Sequence, residues 1–312
     1  MAPFMERNSE VDLGDCKRKI LQIPDGSVSL VLTSPPYAMQ RKDEYGGIEE
    51  KDYPAWFTGV LELFKPKMRT DGNVIVNIRS HVHRGSVSDF VLRTRLAIRE
   101  AGWIECEELL WYKSDGGRGG SIQRPRRTWE HLLWYSLSRK PYTDLKACGK
   151  PSDRLGGSPK QGTNPVFGVN KKGHYPGIAR ITDIFTCPAA KNQNRTDHPA
   201  VFPIALCEQI ITTFCPPGGF VVDPFAGSAS TLIAAQKMGR RSIGFENLKK
   251  YFSDQAKRIL KETKSPGAVD VGNRPESTVA ALLATVQAQG SPPRRSCPCS
   301  TDSPQMIASA PR

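Results

Sequence analysis

Long apolar runs are missing from this 312-residue chain, so nothing in it reaches the length of a membrane-spanning helix. Its first residues also lack the apolar core of a signal peptide. Cysteines are present but unpatterned, at positions 16, 106, 148, 187, 207, 215, 297 and 299. Only Cys297 and Cys299 are close together, and no His or Cys stands near enough to complete a zinc site. The eight are therefore expected as free thiols in a soluble, cytoplasmic protein with no metal. No G-x-G-x-x-G and no G-K-[ST] occurs, which argues against dinucleotide oxidoreductases and P-loop nucleotide hydrolases. Acidic charge is scarce: 44 Lys and Arg face 31 Asp and Glu, a net of +13 with a pI near 9.4. That balance favours a polyanionic partner.

The excess charge is concentrated. Between Trp111 and Arg195 there are 16 Lys and Arg against 5 Asp and Glu, a net of +11. A solvated basic surface would scatter its charges, whereas an insert that holds most of them suits phosphate contact. Arg124, Arg126, Arg127, Lys171 and Lys172 are the candidate contacts to a polyanionic partner, as phosphate ligands or, on a nucleic acid, guanine readers. Arg-rich loops that are merely solvated are the competing reading.

Two segments carry the chemistry. The apolar run Ser29-Leu30-Val31-Leu32 closes on Thr33-Ser34-Pro35-Pro36-Tyr37. Two prolines fix their own φ and hold the preceding residue out of the helical region. The result is a rigid row of acceptors followed by an exposed ring, which suits a flat substrate bearing an amino group. A strand followed by an ordinary proline-rich loop is the simpler alternative.

Far along the chain, Gly219 to Asp223 reads as a buried strand and Pro224 to Ser230 as a tight turn. Thr231 to Met238 follows as a helix, and Arg241 to Phe245 as a strand ending on Glu246. Strand, glycine turn, helix and strand with a terminal acid is how doubly wound folds hold a nucleoside, the acid taking ribose hydroxyls. An Asp at the first strand end would repel a pyrophosphate but suit an ammonium or sulfonium group. S-adenosylmethionine carries both.

With these motifs the chain resembles the DNA amino-methyltransferases of bacterial restriction-modification systems. It is most similar to the subgroup whose catalytic half precedes the cofactor half. The family pattern [SDN]-P-P-[YFW] is matched by Ser34 to Tyr37. D-P-F-x-G-[ST]-G-T is matched from Asp223 onward, with Ala229 in place of a glycine and Ser230 in place of a threonine. H-P-A-x-F-P appears as His198 to Pro203. The ribose motif appears as Gly244-Phe245-Glu246 with Tyr251, Ala256 and Arg258.

The resemblance, over roughly residues 10 to 262, implies a permuted, Rossmann-like α/β fold. Its sheet would have seven mostly parallel strands and an inserted target-recognition region. Expected boundaries are a leader 1–10, a catalytic half 11–140, the insert 141–181, a cofactor half 182–263 and a disordered tail 264–312. The order of the pieces would set Asp223 and Ser34 at the carboxyl ends of neighbouring parallel strands, where such sheets bind ligands.

The implied catalytic residues are Ser34, Pro35, Pro36 and Tyr37. The implied cofactor residues are Asp15, His198, Pro199, Phe202, Pro203, Asp223, Pro224, Phe225, Gly227, Ser228 and Glu246. Double-stranded DNA is the expected partner, with a cognate restriction endonuclease acting on the same site without a stable complex. The enzyme itself would be a monomer or weak dimer.

A serine at the first motif position resembles the cytosine-N4 members, and adenine N6 is the alternative target. A catalytically inactive DNA-binding regulator, with Ala229 as a mark of decay, is the reading from another class.

Overall fold

The computed structural model describes residues 9–39, 47–116, 123–149, 178–189 and 201–249, together with 251, 252, 255, 258, 259 and 262. Its elements run β1 (Ser9–Leu13), α1 (Cys16–Leu21), β2 (Val28–Thr33), α2 (Tyr53–Phe64), a 3-10 turn (Lys65–Lys67), β3 (Met68–Ile78), β4 (Val82–His83) and β5 (Ser86–Val87). They continue with α3 (Phe90–Glu100), β6 (Ile104–Tyr112), β7 (Trp129–Ser136), β8 (Ile184–Thr186), α4 (Ile204–Phe214), β9 (Phe220–Asp223), α5 (Ser230–Lys237) and β10 (Arg241–Glu246). Among the described residues no helix is long and apolar enough to cross a membrane.

Among the described residues, eight strands form the main sheet, in the order β1-β10-β9-β2-β3-β7-β6-β8. The first five are parallel, β7 is antiparallel to both neighbours, and β8 runs parallel to β6. The expected count of seven falls one short because β8, three residues long, has no room to show a period. β1 begins at Ser9, inside the expected leader, and pairs with β10 from Ser9↔Ser242 to Leu13↔Glu246.

The sheet is covered on both faces, so its central strands are apolar without alternation. All six residues of β2 are buried. Val31, Val74 and Val76 face α2 and α3, while Leu30, Leu32 and Ile75 face α4. The inward face of α2 is Tyr53, Phe57, Val60, Leu61 and Phe64. Trp56 and Leu63, one residue before Phe57 and Phe64, are only partly buried. The set that includes three aromatics buries more surface and wins.

Strand order fixes where a ligand can enter. From β2 the chain crosses to β3 on one side, and from β9 it crosses through α5 to β10 on the other. β2 and β9 are adjacent and parallel, with Leu30↔Val221 and Val31↔Val222 in register. Their carboxyl ends therefore open on the switch point of the fold, where the crossovers diverge and leave a crevice.

The expected recognition insert is anchored elsewhere. The Tyr142 N–H donates to Asp71 O at 2.9 Å, and Asn73 Nδ2 donates to Tyr142 O at 2.8 Å. Asp144 N reaches Thr213 O, and Ile181 N reaches Leu145 O. Both described ends of the 141–181 segment thus sit at the start of β3, the edge opposite Thr33 and Asp223. Among the connections that emerge at the Thr33 edge are 79–89, with the β4–β5 hairpin, and the 113–128 connection.

The turn between β9 and α5 packs closely against β10. A Cβ on Gly244 of β10 would meet Leu232 Cδ1 at 2.7 Å and Ala226 Cβ at 2.8 Å, so only glycine lets the turn and α5 lie this close. Ala229 caps α5 in the left-handed region at φ 60°, ψ 21°, where its methyl is fully buried among Val11, Leu232 and Ile233.

Replacing it has opposing effects. Ala229→Gly relieves about 1–2 kcal/mol of left-handed strain. It also removes one buried methyl, about 0.8 kcal/mol, and adds about 0.4–1 kcal/mol of unfolded-chain entropy. Ala229→Gly is therefore expected to leave stability within about 1 kcal/mol of wild type, whereas the branched side chain in Ala229→Val lowers the melting temperature by several degrees. Thermal unfolding of both variants checks this, and a shift for Ala229→Gly as large as that for Ala229→Val would contradict it.

Candidate active site

Thr33 and Asp223 end adjacent strands, and their side chains meet. Thr33 Oγ1 donates to Asp223 Oδ1 at 2.7 Å, and both residues are buried. The same oxygen accepts the Phe225 N–H at 3.1 Å. Both donors are neutral. Burial dominates, and the Asp223 carboxyl is pushed up to about 6 despite these bonds. A buried carboxylate with neutral donors is a site for an incoming cation.

The segment Ser34 to Tyr37 leaves β2 immediately above this pair. Ser34 Oγ donates to Asn77 Oδ1 at 3.3 Å, which leaves the lone pairs of the serine oxygen open as acceptors. Asn77 is the penultimate residue of β3, is buried, and has its amide fixed by donating to His131 O at 3.3 Å. Pro35 is buried, while Ser34, Pro36 and Tyr37 are half-buried.

The expectation of a freely exposed Tyr37 ring needs correction. The Tyr37 hydroxyl donates to Glu130 Oε2 at 2.9 Å, with Asn77 Oδ1 a second acceptor at 3.5 Å. Burial and then the neighbouring Glu130 charge hold this phenol well above its ordinary pKa, so it stays protonated.

The glycine turn lies beside this segment. Gly227 has φ 49°, Pro224 is buried, and the half-buried Phe225 packs against Trp56 with centroids 5.6 Å apart. Ser228 Oγ and Ser230 Oγ are 3.1 Å apart, and Arg258 Nη1 bonds Ser228 O and Ser230 Oγ. Glu246 ends β10 one strand away. Its Oε1 accepts the Leu248 N–H at 2.8 Å and its Oε2 accepts Gln255 Nε2 at 3.2 Å. The backbone N–H groups of Gly227 and Asn247 also act on this carboxylate. Burial raises the Glu246 pKa. Asp15 caps α1, accepting the Lys17 N–H at 3.0 Å, and neighbouring Gly14 N bonds Glu246 O at 2.8 Å.

Other expected residues are placed differently. Phe202 is buried in the core against Trp111, centroids 6.3 Å apart, and Pro203 is the N-cap of α4. His198 and Pro199 lie outside the described residues, as do Lys171 and Lys172. Arg124 and Arg127 donate to the backbone oxygens of Gly85 and Ser80, so they brace the 113–128 connection against the β4–β5 hairpin. Arg126 is exposed. Tyr112 and Trp129 pair across β6 and β7 at this edge, 42% and 46% exposed, beside that basic connection.

Thr33, Asn77, Glu130, Lys113 and Arg79 were not singled out as site residues from sequence. Two signals were available. Thr33 and Asn77 are polar residues at the ends of otherwise apolar strands. Glu130 is the only acid between Asp115 and Asp144, and it falls inside a strand.

Known proteins resemble this chain in sequence and in fold. A family model described as "DNA methylase", covering the N6 and N4 methyltransferases, matches residues 28–258. The chain is 26% identical to the Type II methyltransferase M.PvuII of Proteus hauseri over 87% of this chain and 90% of that one. It is 28% identical to the Type II methyltransferase M.ScaI of Streptomyces caespitosus over 81% of each. Among solved structures, the PvuII DNA methyltransferase, titled cytosine-N4-specific, superimposes with a TM-score of 0.64 at 24% identity, covering 89% of this chain and 92% of that one. A putative DNA modification methylase from Thermus thermophilus in complex with S-adenosyl-L-methionine gives 0.55 at 24% identity, covering 85% of this chain and all of that one. With the family model spanning most of its length and both strand ends of its site, the chain belongs to the N6/N4 DNA methylase family.

Proposed function

We propose that this DNA methylase transfers the methyl group of S-adenosyl-L-methionine to the exocyclic N4 amino group of cytosine in double-stranded DNA. The observation that carries the reading is the Thr33–Asp223 hydrogen bond, which makes one crevice of the catalytic and cofactor segments. The cofactor fits the donor set. Asp223 supplies a buried negative charge with neutral partners, and Glu246 supplies a carboxylate acceptor for ribose hydroxyls at the end of β10. Phe225 and Gly227 frame the cofactor, with Pro224 and Ser228 beneath them, and His198 and Pro199 are further candidates outside the described residues. Asp15 approaches the adenine from the start of α1. When bound, the cofactor supplies an electrophilic methyl on a sulfonium, whose C–S electron pair leaves with the sulfur.

The protein's own residues orient the acceptor. An exocyclic amino group is a poor nucleophile because its lone pair is delocalised into the ring. Ser34 Oγ and the Pro35 carbonyl accept hydrogen bonds from that group, turn its lone pair toward the methyl, and stabilise the positive charge that develops on nitrogen. Asn77 holds Ser34 through an amide oxygen, which is not a base at neutral pH. Ser34 therefore acts as an acceptor, and the surplus proton leaves the amine after transfer. Tyr37 stacks on the base, which must be flipped out of the duplex to reach the crevice. Holding the amino group in line with the methyl is the remaining contribution.

The basic 113–128 connection and residues 141–181 supply DNA contacts, with Arg124, Arg126, Arg127, Lys171 and Lys172 as the candidates. Modification of this kind protects DNA from a cognate endonuclease that reads the same site without a stable complex. The enzyme works as a monomer or weak dimer in the cytoplasm, on nucleoid DNA.

Ser34 and the cytosine-N4 enzyme among the similar structures support N4 over adenine N6. The inactive-regulator reading rests on Ala229, whose methyl points into the core.

Three outcomes are expected. DNA from a methylation-deficient host expressing the protein contains N4-methylcytosine by nucleoside mass spectrometry. N6-methyladenine alone would overturn the base assignment, and neither would remove the activity. Tyr37→Ala lowers turnover at least 100-fold, roughly the loss of several kcal/mol of transition-state positioning, whereas Asp223→Ala chiefly weakens cofactor binding in a calorimetric titration.

Asp223→Asn separates stability from function. The folded carboxyl titrates near 6, above its ordinary 3.8, so the fold favours the protonated form. That contribution is present at low pH and is lost as pH rises through 6. In the cofactor-free protein, Asp223→Asn is expected to raise the melting temperature at pH 7.5 by a few degrees, with the gain shrinking toward pH 4, while cofactor affinity falls. A variant less stable than wild type at pH 7.5 would contradict this account of Asp223.

A further inference from the structure

Beneath the catalytic loop lies a buried charge cluster that the reaction as derived above does not use. Glu130 is the second residue of β7, at the edge where β2 and β3 end, and is 8% exposed. Its Oε1 accepts Lys113 Nζ at 2.5 Å, and Arg79 Nη1 approaches that oxygen at 3.8 Å. Lys113 follows β6, Arg79 follows β3, and their side chains are 12% and 15% exposed. The other oxygen, Oε2, takes the Tyr37 hydroxyl at 2.9 Å.

Such a cluster is an expensive way to hold three strand ends together. Each ion loses several kcal/mol of hydration on burial, and well-packed apolar side chains of similar volume often do the same structural work as well or better. What apolar side chains cannot supply is a fixed acceptor for a phenol. Lys113 occupies one carboxylate oxygen and is itself held over the Trp111 ring, 4.7 Å from its centroid. The carboxylate is thereby turned, and its second oxygen points at Tyr37. A hydrogen bond to a charged acceptor is stronger than one between neutral groups and more demanding in geometry. The phenol of Tyr37 cannot swing without losing it.

We propose that Glu130, oriented by Lys113, is a positioning residue for methyl transfer. It tethers the Tyr37 hydroxyl so that the ring is held ready to receive the flipped base. This inference rests on the base-flipping methyltransferase reading of the site. Glu130 touches neither base nor cofactor in this account, so its effect must pass through one oxygen atom of Tyr37.

That requirement defines the test, a double-mutant cycle on single-turnover methylation of duplex DNA that carries the mapped site. Tyr37→Phe keeps the ring and removes the tether. It is expected to slow transfer roughly 10- to 100-fold, the size of one hydrogen bond to a charged group. Glu130→Ala is expected to do the same or somewhat more, and Glu130→Gln, which keeps an acceptor for the phenol, recovers part of the rate. In the Tyr37→Phe background, Glu130→Ala should add little further loss. Cofactor affinity, measured without DNA, stays near wild type in all of them and reports that the fold is intact. Should Glu130→Ala fail to fold, Glu130→Gln combined with Tyr37→Phe completes the cycle.

Multiplying effects, in which the double variant loses the product of the two single losses, would overturn the tether, because Glu130 would then act independently of Tyr37. A Tyr37→Phe variant with wild-type rates would overturn it as well. Absence of transfer by the wild-type protein is seen before any variant is made. It would remove the methyltransferase reading and this inference with it, whereas additivity in an active enzyme removes the inference alone.

Discussion

Everything in this site depends on the hydrogen bond between Thr33 and Asp223. One partner ends the strand that leads into Ser34–Tyr37 and the other ends the strand that leads into the turn from Asp223 to Ser230, 190 residues apart in sequence. Parallel pairing of β2 with β9 brings the two backbones together, and the hydroxyl then fixes the carboxylate. A carboxylate placed this deep is unstable on its own, as its raised titration shows. The fold tolerates that cost at the switch point of its sheet, where a cationic ligand relieves it. Stability is given up where binding needs it, a common feature of sites built for charged ligands.

Around this bond the other strand ends contribute by position. β3 supplies Asn77 to Ser34, β7 supplies Glu130 to Tyr37, and β10 supplies Glu246 to the cofactor side. Each group sits on a strand packed on both faces, so its backbone has little freedom, and each side chain is held by a second hydrogen bond. The acceptors of the catalytic loop are thereby set before any substrate arrives. Prearranged dipoles of this kind need no reorganisation as charge develops, which is the main electrostatic advantage a protein site has over water.

Much of this was legible in the sequence because local constraints dominate there. Ser34-Pro35-Pro36-Tyr37 and the turn from Asp223 to Ser230 are short segments whose residues dictate their own backbone. Their placement on adjacent parallel strands followed from the order of elements. What was not legible depends on cross-strand partners. Glu130 became a site residue only once β7 was known to pair antiparallel with β3 and β6, which sets it beside Lys113 and within reach of Tyr37. Asn77 was hidden in an apolar strand for the same reason. Phe202 was read by motif as a cofactor contact, yet packing against Trp111 puts it in the core. The basic composition pointed to residues 111–195 as a whole, and a count of charges cannot say at which edge of a sheet each part of that stretch is anchored.

The most direct test of the central claim, that the two segments act as one site, uses Thr33, which belongs to the catalytic strand and to no cofactor motif. Thr33→Val keeps the shape of the side chain and removes the donor to Asp223. Titration calorimetry of S-adenosyl-L-methionine without DNA is expected to show roughly tenfold weaker binding, a loss comparable to one hydrogen bond to a charged group. Unchanged cofactor affinity in a folded Thr33→Val protein would contradict the account.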